Sequence, residues 1–128
     1  MIFKNFIDNQ WFDARSGKTF EVLNPFTEEV IANVPASDEK DINNAVKAAK
    51  NSFHEWSELT AGERRDHLRA LANNSREHAE SIAETISSEM GKPYKDALTE
   101  LDDLAEYLEY YSELARDQVG KIVAPVEK

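Results

Sequence analysis

The sequence predicts an α+β fragment: short antiparallel β-strands and hairpins first, then three or four α-helices. Three observations carry that prediction. Short apolar runs, of which Thr19 to Leu23 alternates, lie between turn-forming clusters in the first thirty-five or so positions. From Ser37 onward apolar residues recur every three or four positions instead. The last long helix, opened by Met90-Gly91-Lys92-Pro93 and closed by Gly120, is apolar over more than one face. A helix of that kind needs cover on more than one side. The remainder of 128 residues can supply one side.

Taken in order, residues 1–35 read as β-rich. Asn5 to Ala14 is a hairpin, with Phe6-Ile7 and Trp11-Phe12 flanking the turn Asp8-Asn9-Gln10. Arg15-Ser16-Gly17 is a second turn. Thr19 to Leu23 is a strand, stopped by Asn24-Pro25-Phe26-Thr27 because Pro25 removes a donor and Asn24 favours turn geometry. Val30 to Val34 is the next strand, closed by Pro35.

Residues 37–118 read as helical. Ser37 is the expected N-cap of the first helix, with Asp38 and Glu39 placed to complement the helix dipole. Its apolar face is Ile42, Ala45, Val46, Ala49, Phe53 and Trp56. Thr60-Ala61-Gly62-Glu63 is a capping box. The face that follows, Leu68 through Met90, keeps one phase, and Asn73-Asn74-Ser75 predict a break near Arg76 to His78. Gly91 is the expected left-handed stop. Pro93 is expected in the first turn of the last helix, where its missing N–H costs nothing. That helix aligns Ala97, Leu101, Leu104, Ala105, Leu108, Tyr111, Ser112 and Ala115 on one face, with Leu98, Tyr107, Tyr110 and Leu114 widening it. Residues 120–128 read as a short strand at Ile122-Val123, bounded by Pro125.

Composition narrows the function. The net charge is −10, from 25 acidic and 15 basic residues. Phosphate backbones and anionic lipid surfaces require clustered Lys and Arg, so no nucleic-acid and no membrane partner is expected. There is no Cys, hence no disulfide, thiolate metal site or cysteine nucleophile. The first residues lack a basic region followed by a long apolar run, and a cytoplasmic location is the expectation. His54, His67 and His78 have no metal-ligand spacing and fall on polar faces. Gly91-Lys92 lacks a glycine-rich phosphate loop. Glu100, Asp102 and Asp103 read as a solvated surface rather than an acid/base pair. The three tyrosines 107, 110 and 111 read as packing residues. Residue chemistry alone thus reaches an acidic β-then-α module without a self-contained active site.

The order of segments carries more. Asp8-Asn9-Gln10-Trp11, Gly17-Lys18-Thr19-Phe20 and Asn24-Pro25-Phe26-Thr27-Glu28-Glu29-Val30-Ile31 are followed by Ala45-Val46-Lys47-Ala48-Ala49, Phe53 and Trp56. Glu63-Arg64, Leu68 to Leu71, Glu89-Met90-Gly91-Lys92-Pro93 and Tyr110-Tyr111 complete the series. The whole resembles the opening of the NAD(P)-dependent aldehyde dehydrogenases. Two positions depart: Glu28 stands where that family usually has glycine, and Met90 where it usually has a small or polar residue.

The resemblance implies that residues 1–128 are a single partial domain, the first part of a cofactor-binding domain, with residues 120–128 starting a strand that crosses to the oligomerisation region. It implies a parent that oxidises an aldehyde to a carboxylic acid. There, a cysteine thiolate attacks the aldehyde, hydride passes to NAD or NADP, and an activated water releases the acyl group. The family's cysteine, glutamate base, oxyanion asparagine and cofactor glycines all lie beyond Lys128, so no residue here is assigned as catalytic or cofactor-binding. This chain alone is therefore expected to be inert, to bind neither NAD nor NADP, and to meet an aldehyde only in its parent. The face around Thr99, Asp103 and Tyr107 would border a substrate tunnel by the same analogy, although packing or solvent exposure explains it as well. Many family members hold a monovalent cation; the matching positions are Glu89 and the backbone near Val22, an oxygen half-site suited to a hard ion. Glu89 as an ordinary last-turn residue is the competing explanation. The uncovered helix, Lys95 to Gln118, predicts self-association. An alternative from another class is a stand-alone helical interaction module that uses this framework to bind a partner, which a downstream in-frame cysteine nucleophile would argue against.

Overall fold

A computed structural model describes residues 2–114, in the order β1 (Asn5–Ile7), β2 (Gln10–Phe12), β3 (Thr19–Leu23), β4 (Val30–Pro35), α1 (Glu39–Glu58), α2 (Ala61–Glu77), α3 (Ala79–Met90) and α4 (Tyr94–Leu114). The expected Ile122-Val123 strand and the end of the 95–118 helix lie outside the described residues.

The β portion is two separate antiparallel pairs, β1 with β2 and β3 with β4. The first turn is tighter than expected. Gln10 already pairs with Ile7, and Asp8 and Asn9 both take positive φ, 52° and 58°. Such a two-residue turn matches the twist of its flanking strands. Asn24 closes the second hairpin. Its side-chain oxygen accepts from the Phe26 and Thr27 amides (2.9 and 3.1 Å), and its N–H donates to the Glu29 carbonyl (2.9 Å). That closure throws Glu28 into the left-handed region at φ 59°. Glycine takes this conformation without the clash a Cβ introduces. Near the other end of the chain's first segment, Ile2 bridges Asn33 in parallel, and the Phe3 N–H donates to the Asn33 carbonyl (2.9 Å). Residues 2–3 thereby lie along the free edge of β4.

The N-cap of α1 is Asp38, not Ser37. The Asp38 carboxylate accepts from the Lys40 and Asp41 amides (2.8 and 3.0 Å), and Asp41 returns the contact to the Asp38 amide (3.1 Å). A charged acceptor at the positive end of a helix outcompetes a hydroxyl there. Those amide bonds, first the one from Asp41, hold the Asp38 carboxyl below the usual range. Ser37 is left to pair with the Asn5 side chain at 2.8 Å. Asp41 is buried and also accepts from the Arg15 amide (3.2 Å), tying the second turn to the start of α1.

The capping box at Thr60 forms as its sequence requires, with Glu63 accepting from the Thr60 amide and hydroxyl (2.8 and 2.7 Å). Those two bonds lower the Glu63 carboxyl, the hydroxyl's first. The break between α2 and α3 falls at His78, within the span that Asn73-Asn74-Ser75 predict. Gly91 closes α3 at φ 71°. A Cβ there would stand 3.0 Å from Cγ of Pro25, so close approach and backbone sign both require glycine. Pro93 sits one residue ahead of α4, not in its first turn, and its carbonyl accepts from the Asp96 and Ala97 amides (2.9 and 3.1 Å).

Packing centres on α4, which runs back along α2 and α3. The antiparallel sense is visible in the ion pairs: Arg69 meets Glu113, and Arg76 grips Glu109 with both guanidinium nitrogens. That fork lowers the Glu109 carboxyl and raises the Arg76 guanidinium. Between the helices lie Ala72, Ser75, Ala83, Ala97, Leu101, Ala105 and Ser112, all buried. Small side chains let the helix backbones approach closely, at the cost of a thin core. The expected α4 face is only partly covered. Leu98 and Leu108 are half-buried, whereas Leu104 and Tyr111 remain exposed.

The α1 face departs furthest from a packed helix. Ile42, Val46, Phe53 and Trp56 are 57%, 52%, 68% and 46% exposed. Among the described residues, α1 meets β1 and touches α2 where the Trp56 ring lies against His67, 5.6 Å between centroids.

Candidate functional site

The β3–β4 hairpin and the end of α3 enclose the groove that contains both residues of the expected cation half-site. β3 and β4 pair with Val22 opposite Ala32, then slip by one residue so that Leu23 faces Val30. The extra residue bends the strand and interrupts its ladder beside Val22. The last turns of α3 lie across this hairpin, fixed by the Gly91–Pro25 approach. The result is an open groove of about 380 Å³ lined by Phe3, Val22, Ile31, Ala32, Val34, Thr85, Ser88 and Glu89. Its walls are mainly aliphatic. Glu89 is its single ionisable lining group and is solvent-exposed. Thr85 and Ser88 spend their hydroxyl protons on the Ser81 and Thr85 carbonyls of their own helix (both 2.9 Å).

The second expected region is the outer face of α4. Asp103 and Tyr107 line one shallow groove of about 370 Å³ together with Glu106 and Tyr110, and Thr99 is not among its walls. All four side chains are exposed. In the acidic cluster, Glu100 is engaged by Lys92 across the start of α4, while Asp102 and Asp103 face solvent. The three histidines are exposed. His54 approaches Glu58 (3.9 Å), His67 lies on Trp56, and Nδ1 of His78 is 3.0 Å from the Asn74 carbonyl. No group of three or more His, Asp or Glu side chains among the described residues converges as a metal cage. The arrangement offers one carboxylate beside a strand edge and one acidic, tyrosine-lined helix surface. Neither holds a nucleophile paired with a base.

Sequence reasoning missed the Arg15–Asp41 contact and the two Arg–Glu clamps between α2 and α4. Their partners are 26, 33 and 44 residues apart, so no local spacing reports them.

The arrangement of two hairpins and four helices is shared with known dehydrogenases. The model of the aldehyde dehydrogenase family matches residues 11–128. This chain belongs to the aldehyde dehydrogenase family. Among curated relatives, 3,6-anhydro-alpha-L-galactose dehydrogenase of Vibrio sp. (strain EJY3) is 38% identical over 121 residues, 94% of this chain and 25% of the relative. Among solved structures, a mutant aldehyde dehydrogenase from Bacillus cereus is 37% identical with a TM-score of 0.87, covering 100% of this chain and 26% of that one. A point mutant of betaine aldehyde dehydrogenase from Staphylococcus aureus, solved in complex with NAD+, is 29% identical with a TM-score of 0.86, covering 96% of this chain and 26% of its own. The chain thus spans about a quarter of the length of the relatives it matches. No described helix is long and apolar enough to cross a membrane.

Proposed function

We propose that this chain is the opening portion of a single cofactor-binding domain in an NAD(P)-dependent aldehyde dehydrogenase, cytoplasmic, whose whole polypeptide oxidises an aldehyde to a carboxylic acid. What carries the reading is that 118 consecutive residues, 11–128, match the family while the hairpins and helices keep the relatives' arrangement. The chain's own part is structural. It has no cysteine to attack an aldehyde. Its four glycines, at 17, 62, 91 and 120, are too scattered to form a dinucleotide turn. The residues present therefore do not fit NAD or NADP, and both cofactor and aldehyde belong to the rest of the enzyme. The test is a chimera in which this chain replaces the matching quarter of the Bacillus cereus enzyme. NADH production from an aldehyde supports the reading; a folded chimera without turnover contradicts it.

At Glu89 and Val22 the donor set fits a monovalent cation in part. One carboxylate and a bulged strand edge supply some of the oxygens such an ion needs. If the half-site has affinity of its own, sodium or potassium at matched ionic strength should raise the melting temperature of the native chain more than that of Glu89→Ala. Equal responses would leave Glu89 an ordinary last-turn carboxylate.

A further inference from the structure

The β1–β2 hairpin meets α1 around Ala48, and a polar cleft runs beside that contact. Its volume is about 340 Å³, at the small end of the range of about 300–1,000 Å³ for ligand pockets. Asn44, Lys47 and Asn51 stand along its helical wall at three- and four-residue spacing, which puts them on one side of α1. Ile7 and Phe12 give the hairpin wall an apolar surface. Most charged groups of the cleft are already engaged. Asp13 pairs with Lys4 (3.3 Å) and Arg15 with Asp38 (3.7 Å). Asp41, only 7% exposed, accepts from the Arg15 and Asp38 amides (3.2 and 3.1 Å). That leaves Asp8 and Lys47, one of each sign, without an ion pair among the described residues. The side-chain hydrogen bonds and ion pairs of α1 fall on Asp41, Ser52, Ser57 and the His54–Glu58 pair, and none on Asn44, Lys47 or Asn51, among the described residues. Asparagine is also a weak helix former. Two of them held mid-helix, with no internal hydrogen bond to offset that loss, are a local inconsistency of the kind found at functional sites.

The open groups select the ligand. Each carboxamide offers an acceptor oxygen and two N–H donors, Lys47 offers three donors, and the Asp8 carboxylate only accepts. A hydroxyl donates and accepts at once, so a run of adjacent hydroxyls satisfies such a mixed set. The two open charges cancel, and a charged ligand meets one of them as a repulsion: an anion Asp8, a cation Lys47. Phe12 and Ile7 suit the C–H face of a small ring or chain. We propose that this cleft binds a neutral polyhydroxylated molecule of monosaccharide size, held by Asn44, Lys47 and Asn51 against Phe12. Binding is separate from the aldehyde chemistry proposed above, since the recognised groups are hydroxyls and no carbonyl is needed.

The test is titration of the nitrogen-15-labelled chain with methyl glucoside, which has no free aldehyde, and with mannitol, followed through the amide signals. Saturable shifts are expected at the Asn44 and Asn51 carboxamides and at the Phe12 and Ala48 backbone amides, with a Kd of about 1 mM. Asn51→Ala should weaken binding by about fivefold or more. Alanine is the better helix former, so the melting temperature of that variant should hold or rise. Glu55→Gln, outside the cleft, should leave binding unchanged. Methyl maltoside distinguishes the two sources of such a ligand: tighter binding than the glucoside assigns the end of a glycan chain, equal or weaker binding a free sugar, and either supports the site. Shifts that grow without saturating, or binding indifferent to both Asn44→Ala and Asn51→Ala, would overturn it. Saturable binding of acetate or tetramethylammonium at these amides, in place of the polyols, would overturn a neutral polyol as the ligand.

Discussion

Leu101→Ala should cost the chain about 2–5 kcal/mol, a large share of the about 5–15 kcal/mol that ordinarily holds a domain folded. Among the described buried residues, Leu101 is the one large aliphatic side chain; its companions are alanines, with Ser75 and Ser112 beside them. The neighbours have little side chain with which to refill the space, so the cavity term adds to the lost transfer energy. Leu104, one turn along the same helix, is 44% exposed. Leu104→Ala should therefore change stability far less, by about 0.5 kcal/mol. Urea denaturation followed by circular dichroism compares the two. Equal effects would mean that the core lies elsewhere than between α2, α3 and α4.

The second large effect is self-association of the isolated chain, through α4. Leu104, Tyr107, Tyr110, Tyr111 and Leu114 are all exposed on its described part, from 39% to 64%. Each large apolar side chain left in water forgoes about 1.5–3 kcal/mol. The exposed α1 face adds to the same pressure. Opposing it is the charge of −10, part of which lies on α4 itself at Asp102, Asp103 and Glu106, while Glu109 and Glu113 are paired with Arg76 and Arg69. Surface repulsion fades beyond a Debye length of about 8–10 Å at ordinary salt. Sedimentation at several concentrations should then show a dimer or higher species that gains ground as salt is raised. Tyr107→Asp, which removes apolar surface and adds to the repulsion, should shift the equilibrium toward monomer. A compact monomer at every concentration and salt level would contradict the prediction and favour a chain that closes its own surface.

The sequence made much of this legible wherever the determinants are local. The Thr60–Glu63 box, the left-handed Gly91 and the break at His78 are each specified within a few residues, and each is where spacing and propensity place it. Asp38 lies one position from the expected cap because two adjacent residues compete to cap the first turn, and the charged acceptor prevails over the hydroxyl. Glu28 is legible in reverse. The turn enforced by Asn24 demands a positive φ, which explains why the family's usual glycine suits a position where this chain carries a strained glutamate. Burial was the least legible property. Periodicity marks Ile42, Val46 and Phe53 as an apolar face but carries no information on whether a partner element exists within the chain. The grouping of Val22 with Glu89 in one groove is legible only through the family resemblance, since 67 positions separate them and no chemistry in the sequence links them.

On the function proposed above, this chain contributes architecture to an aldehyde dehydrogenase and none of its reacting groups. Purified chain, freed of host dehydrogenases, should be incubated with NAD or NADP and a panel of aldehydes while absorbance of the reduced cofactor is followed. The expected trace is indistinguishable from buffer for every aldehyde. Turnover above background that survives repeated purification and scales with the amount of chain would contradict it.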